Sequence, residues 1–124
     1  MLWFDSFESL SEVRNAPVIT TVAEIPTGVA RKDDLLLELA QSLRFPDYFG
    51  QNWDALEECM RDLSWLPAGA VSIVHRDLPL ETDAAGRGTY LEILSGAEMA
   101  WPTEGRELVL VFPGEVAQYV RTFW

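Results

Sequence analysis

The chain of 124 residues is 48% hydrophobic and 11% aromatic, which supplies one hydrophobic core and leaves too little for a second. Its 20 acidic and nine basic residues give a net charge of −11, a balance that repels nucleic acid and anionic lipid and draws in a cationic protein. With one cysteine, Cys59, and one histidine, His75, there is neither an internal disulfide nor a Cys/His zinc set, so a reducing cytoplasm and no metal or cofactor are expected.

Residues 1–16 carry Asp5 and Glu8, no leading Lys or Arg and no small-residue cleavage pattern, so they do not read as an export signal. Trp3, Phe4 and Phe7 suit an N-terminal extension that lays an extra strand or helix on the core. Residues 17–25 (PVITTVAEI) are rich in β-branched side chains and stop at Pro26, Thr27 and Gly28, which fit a type I turn; they predict the first strand. Over 31–43, Leu35, Leu36, Leu39, Ala40 and Leu43 recur at helical spacing, and Arg44-Phe45-Pro46 ends that helix because a residue before proline is held out of the helical region. Asn52 is placed to cap a second helix running to about Leu63, and Pro67 and Gly69 close that unit.

Residues 69–75 (GAVSIVH) and 107–112 (ELVLVF) are short, nearly continuous apolar runs, the pattern of strands buried on both faces of a parallel sheet. Between them, 88–100 shows weaker helical spacing through Tyr90, Leu91, Leu94 and Met99, with Gly96 set against it. Gly86-Arg87-Gly88 reads as a turn rather than a phosphate loop, since no strand leads into it. Residues 116–124 predict a terminal helical turn, and no run reaches the about 18 to 20 apolar residues that a membrane-spanning helix needs. Strand, helix, helix, strand, helix, strand in that order predicts an α/β fold: a three-stranded, largely parallel sheet packed against helices, one domain over 1–124.

The second helix carries the pattern that bears on function. On a helical wheel Trp53, Leu56, Met60 and Leu63 share one arc, with Cys59 at its edge, so this face packs inward. Asp54, Glu57, Glu58 and Asp62 occupy the other side, interrupted by Arg61, and present an acidic stripe to solvent. An ordinary solvated face also fits: Asp54 gains from the helix dipole and Glu57 can pair with Arg61. Against that, Asp54 and Glu58 stand four residues apart, where like charges cost about 0.2 to 0.5 kcal/mol. Just before the helix, 45–50 (FPDYFG) sets Tyr48 and Phe49 on an irregular connection, with Gly50 free to adopt backbone conformations closed to other residues. Aromatic anchors beside carboxylates that a partner can desolvate are the chemistry of an interface hot spot; Phe49 is expected to pack under the loop and Tyr48 to sit at the rim.

The stretch FPDYFGQNWDALEECMRDLSWLP, residues 45–67, resembles the barstar family of ribonuclease inhibitors. The likeness lies in the order aromatic, aromatic, Gly, any residue, Asn, any residue, Asp-Ala-Leu, here Tyr48, Phe49, Gly50, Gln51, Asn52, Trp53, Asp54, Ala55 and Leu56. The resemblance implies the same three-stranded fold and a helix and loop that plug the active site of a basic ribonuclease, with Asp54 and Glu58 facing its phosphate-binding Arg, Lys and His side chains. It also implies interface or loop positions for Tyr48, Gly50 and Asn52; Phe49, Glu57 and Asp62 complete the expected contact set.

Some positions depart from the family pattern. Glu58 stands where the best-known member has aspartate, Glu57 where it has tryptophan, and Phe49 lacks the hydroxyl of a second tyrosine. Glu92 and Glu98 are the candidates for the acidic contact of the family's third helix. The expected protein is thus a cytoplasmic inhibitor, a monomer when free, that binds a basic ribonuclease and neither nucleic acid nor membrane. An acidic module that neutralises another basic toxin or nucleic-acid-binding protein is the alternative. An enzyme does not fit: nothing separates the protonation behaviour of Asp54 and Glu58, no nucleophile motif accompanies them, His75 lies in an apolar strand run and Cys59 borders the buried face.

Overall fold

The computed structural model describes residues 1–4, 18–47, 49–101 and 106–124. Among these, strands β1 (Leu2–Phe4), β2 (Ile19–Ile25), β3 (Gly69–His75) and β4 (Arg106–Phe112) form one sheet in the order β1-β4-β3-β2. Every neighbouring pair is parallel. The helices are α1 (Lys32–Ser42), α2 (Trp53–Asp62), α3 (Ala84–Met99) and α4 (Ala117–Arg121), the last entered through a 3-10 turn at Gly114–Val116.

The predicted α/β architecture holds, with four strands in place of three. The added strand is β1, which docks on the outer edge of β4 with Leu2 opposite Leu110 and Phe4 opposite Phe112. Of the extra strand or helix expected at the N-terminus, residues 2–4 form the strand; three apolar residues carry too little periodicity to choose between the two, and the row of unpaired backbone groups that β4 offers decides it. The rest of the expected N-terminal extension, residues 5–16, lies outside the described residues, as does Pro17 at the start of the first predicted strand.

The two central strands bear out the reading of continuous apolar runs. Val71, Ser72 and Ile73 of β3 and Val109 to Phe112 of β4 are all fully buried. On β2, at the sheet's other edge, exposed Thr20, Val22 and Glu24 stand among Ala23 and Ile25, both buried. The main core includes Ile25, Leu35, Leu39, Leu56, Met60, Ile73, Leu91, Leu94, Leu110 and Phe112, drawn from the sheet and from α1, α2 and α3. A smaller cluster of Ala70, Val109 and Val111 packs with Met1, Trp3, Ile19 and Val74.

Helix α3 begins four residues before its predicted start at 88, so Gly86-Arg87-Gly88 lies inside its first turns and is neither a turn nor a phosphate loop. Asp83 caps the helix by accepting a hydrogen bond from the Gly86 amide at 3.0 Å. A Cβ on residue 86 would stand 2.3 Å from that same carboxylate, so glycine here serves the cap. Gly96 marks the crossing of α3 with α2, where an added Cβ would meet the Arg61 guanidinium at 3.1 Å.

His75, at the end of β3, belongs to the interior. Its ring stacks on Phe112 with centroids 4.0 Å apart. Nδ1 lies 2.9 Å from the Val111 carbonyl oxygen, to which it must donate, which leaves Nε2 to accept from the buried Tyr90 hydroxyl at 2.7 Å. Burial holds the imidazole pKa down at about 4, opposed only by the bond to Val111, so the ring is neutral at physiological pH. The same burial pushes the Tyr90 phenol well above its usual range.

Candidate protein-binding face

Helix α2 starts where the sequence places it. Asn52 takes an extended conformation and its side-chain oxygen accepts the Ala55 amide at 2.8 Å, satisfying one of the orphan donors of the first turn. The Asn52 amide nitrogen reaches back to the Gly50 carbonyl at 3.3 Å. The left-handed backbone expected at Gly50 falls instead on Gln51, at φ 49°. A Cβ at 50 would approach the Asn52 amide nitrogen to 3.2 Å, a tight fit that the capping side chain would have to yield to. Replacing Asn52 with alanine is expected to lower stability by about 1 kcal/mol through the lost cap; thermal unfolding checks this, and an unchanged Tm overturns it.

The other end of α2 is fastened by residues the sequence pattern did not single out. Trp101 Nε1 donates to the Met60 carbonyl at 2.8 Å, and Arg106 Nη2 donates to the Leu63 carbonyl at 2.6 Å. These are carbonyls that a helix C-terminus leaves without intrahelical partners. The Arg106 guanidinium lies over the Trp101 ring, 5.0 Å from its centroid. Leu63 itself closes the helix in a left-handed conformation, its amide bonding to Cys59.

Between these fastenings the two faces of α2 divide as predicted. Leu56, Met60 and Leu63 are fully buried, Cys59 is 6% exposed, and Trp53 packs half-buried against Tyr90. Asp54, Glu57, Glu58 and Asp62 are all exposed. Glu57 is tied to Arg61 across one turn at 3.3 Å. Asp54, Glu58 and Asp62 enter no ion pair among the described residues. Their negative field reaches the interior: burial, then Glu58 and Asp62, raises the Cys59 thiol above its ordinary pKa, so the thiol stays protonated and unreactive.

In the connection before α2, Phe49 packs against the core as expected, its ring 4.8 Å from that of Phe45. Tyr48 lies outside the described residues. Gly50 and Asn52 are exposed beside Asp54. Of the two acidic candidates on α3, Glu92 is exposed, while Glu98 is committed within the chain to the Met1 amino group at 3.2 Å and to Trp124 Nε1 at 2.8 Å.

The described residues therefore assemble a fixed helix with an apolar back and a carboxylate front. They contain no grouping of three His, Cys, Asp or Glu side chains that could hold a metal ion, and no helix long and apolar enough to cross a membrane. Among curated proteins none matches the sequence. The family model described as barstar (barnase inhibitor) matches residues 21–113, which takes in most of β2, all of β3 and β4, helices α1 to α3 and the whole acidic face. With three-quarters of its length so matched, the chain belongs to the barstar (barnase inhibitor) family.

Proposed function

We propose that the protein is a cytoplasmic inhibitor of a basic ribonuclease and acts by steric and electrostatic occupation of the active site, with no catalytic step of its own. Asp54 and Glu58 take the places of RNA phosphates among the enzyme's cationic groups. Gly50, Asn52, Glu57, Asp62 and the aromatic pair Tyr48 and Phe49 complete the contact. The observation that carries this reading is a short helix with an apolar back packed into the core and, on its front, the exposed carboxylates of Asp54, Glu58 and Asp62, which enter no ion pair among the described residues. Such a helix keeps its shape while its like charges remain uncompensated until a cation arrives.

The net charge of −11 speeds encounter with a basic enzyme and opposes self-association, so the whole 1–124 chain acts as a monomer when free. Titrating the protein into basic ribonucleases of microbial type, with a fluorogenic RNA substrate, is expected to give stoichiometric one-to-one inhibition. The association rate should fall steeply as salt is raised. Failure to inhibit any such enzyme, together with stoichiometric binding to a basic protein of another activity, would instead establish the acidic module directed at a different toxin.

A further inference from the structure

Beside the phosphate-mimicking carboxylates the surface holds a depression of about 70 Å³, lined by Phe49, Ala55, Glu58, Cys59, Asp62 and Trp65. One water needs about 10 to 15 Å³ of such space, so the depression has room for a group of four or five heavy atoms. Its aromatic wall is held in place before any ligand arrives. Trp65 is pinned by its Nε1 donating to the Leu43 carbonyl at 2.9 Å, and its ring stands edge-on to Phe45 at 6.2 Å. Phe45 in turn packs on Phe49 at 4.8 Å, and the Phe49 amide bonds to the Pro46 carbonyl at 2.9 Å. Opposite this wall, Glu58 and Asp62 rise from successive turns of α2, four residues apart and without ion-pair partners among the described residues.

Resting on the reading of α2 as the inhibitory face, we infer that this depression is a guanidinium pocket that receives one arginine side chain of the partner, with Asp62 as its determinant. The chemistry favours arginine over lysine. A guanidinium is planar, stacks on aromatic faces, is weakly hydrated and offers a fork of donors that two carboxylates can share; an ammonium is a strongly hydrated point charge that gains little from an aromatic wall. Burial first, and then the charge of Glu58 and Asp62, raises the Cys59 thiol; it is this carboxylate charge that the guanidinium neutralises. The pocket thus selects among basic ribonucleases for those with an arginine at the matching place, a discrimination that the steering charge of the helix cannot make by itself.

The test uses the free protein and two probes, N-acetyl-arginine methylamide and N-acetyl-lysine methylamide, each titrated while the backbone amides and Trp indole N–H groups are followed by NMR. The arginine probe is expected to shift the Trp65 indole and the Glu58 and Asp62 amides along one saturating curve. The lysine probe should bind about fivefold or more weakly. Asp62→Asn, nearly isosteric and at an exposed position, should keep the fold and weaken the arginine probe about fivefold. Equal binding of the two probes, shifts spread evenly along the stripe to Asp54, or an unchanged affinity in Asp62→Asn each overturns the pocket. No nuclease takes part, so a negative result leaves the inhibitor reading standing; loss of that reading would show only in the inhibition titration.

Discussion

Replacing Asp54 with alanine is expected to weaken inhibition of the cognate ribonuclease by about 30- to 4,000-fold. That range corresponds to the about 2 to 5 kcal/mol that follows when one member of a buried charge pair is removed and its partner is left desolvated. The magnitude is a general one for charged interfaces, and this family's own barnase complex is among its reference cases. The loss belongs to the complex alone. In the free protein Asp54 is exposed and enters no ion pair among the described residues; its loss removes a little dipole stabilisation and relieves repulsion from Glu58, so Tm should barely move. Glu58→Ala should follow with a smaller loss. Asp33→Ala and Asp34→Ala, in the first turn of α1, change the net charge by the same amount and should leave the dissociation rate untouched. Isothermal calorimetry and stopped-flow association on these variants decide the matter: a tight Asp54→Ala complex, or equal losses from Asp33→Ala, would refute the placing of the site.

Between pH 6.5 and 4 the protein should lose up to about 3 kcal/mol of stability through His75 alone. The sign follows from the ring's surroundings. In the native state the imidazole pKa is held at about 4 by burial, whereas in the unfolded chain it returns to the ordinary histidine value of 6.5. As the pH falls below 6.5, the unfolded state binds a proton that the folded state refuses, and stability declines by about 1.36 kcal/mol per pH unit until the native ring protonates near pH 4. Below that point this group's contribution levels off; above pH 6.5 both states are neutral and it has none. A charged ring would also carry a proton on Nε2, where the Tyr90 hydroxyl now donates. Urea unfolding at pH 7, 5.5 and 4 should show His75→Gln to be less stable at pH 7 but with a shallower decline. Because the carboxylates titrate alike in both proteins, the difference in slope isolates the histidine. Parallel slopes would mean that the ring is already charged or is open to solvent.

The strands and helices legible in the sequence are those in which burial repeats at short range. Residues 69–75 and 107–112 announce themselves because both faces of a central parallel strand are buried, so nearly every side chain is apolar. The start of α2 is legible because a cap is a contact across three residues, from Asn52 to Ala55. The start of α3 is not, since Gly86 and Gly88 are poor helix formers by composition. The use of Gly86 becomes plain only from the fold, where the capping Asp83 carboxylate occupies the space a Cβ would take. Gly50 misled as well: glycine in a loop suggests a backbone closed to other residues, whereas the left-handed residue is its neighbour Gln51.

Local pattern alone thus specified the two-faced α2, its Asn52 cap, the carboxylate front of Asp54, Glu58 and Asp62, and the parallel α/β order, because 3.6-residue periodicity, capping and apolar runs are encoded within a few residues. Only the folded chain decided that β1 would close the free edge of β4, that Trp101 and Arg106 would hold the end of α2 from 41 and 43 residues away, and that Trp65 would wall a pocket while bound to Leu43, 22 residues back. The same holds for His75, whose partners Tyr90 and Val111 lie 15 and 36 residues downstream. Such contacts join groups that share no spacing rule; they form because buried donors and acceptors must find partners wherever packing brings them together.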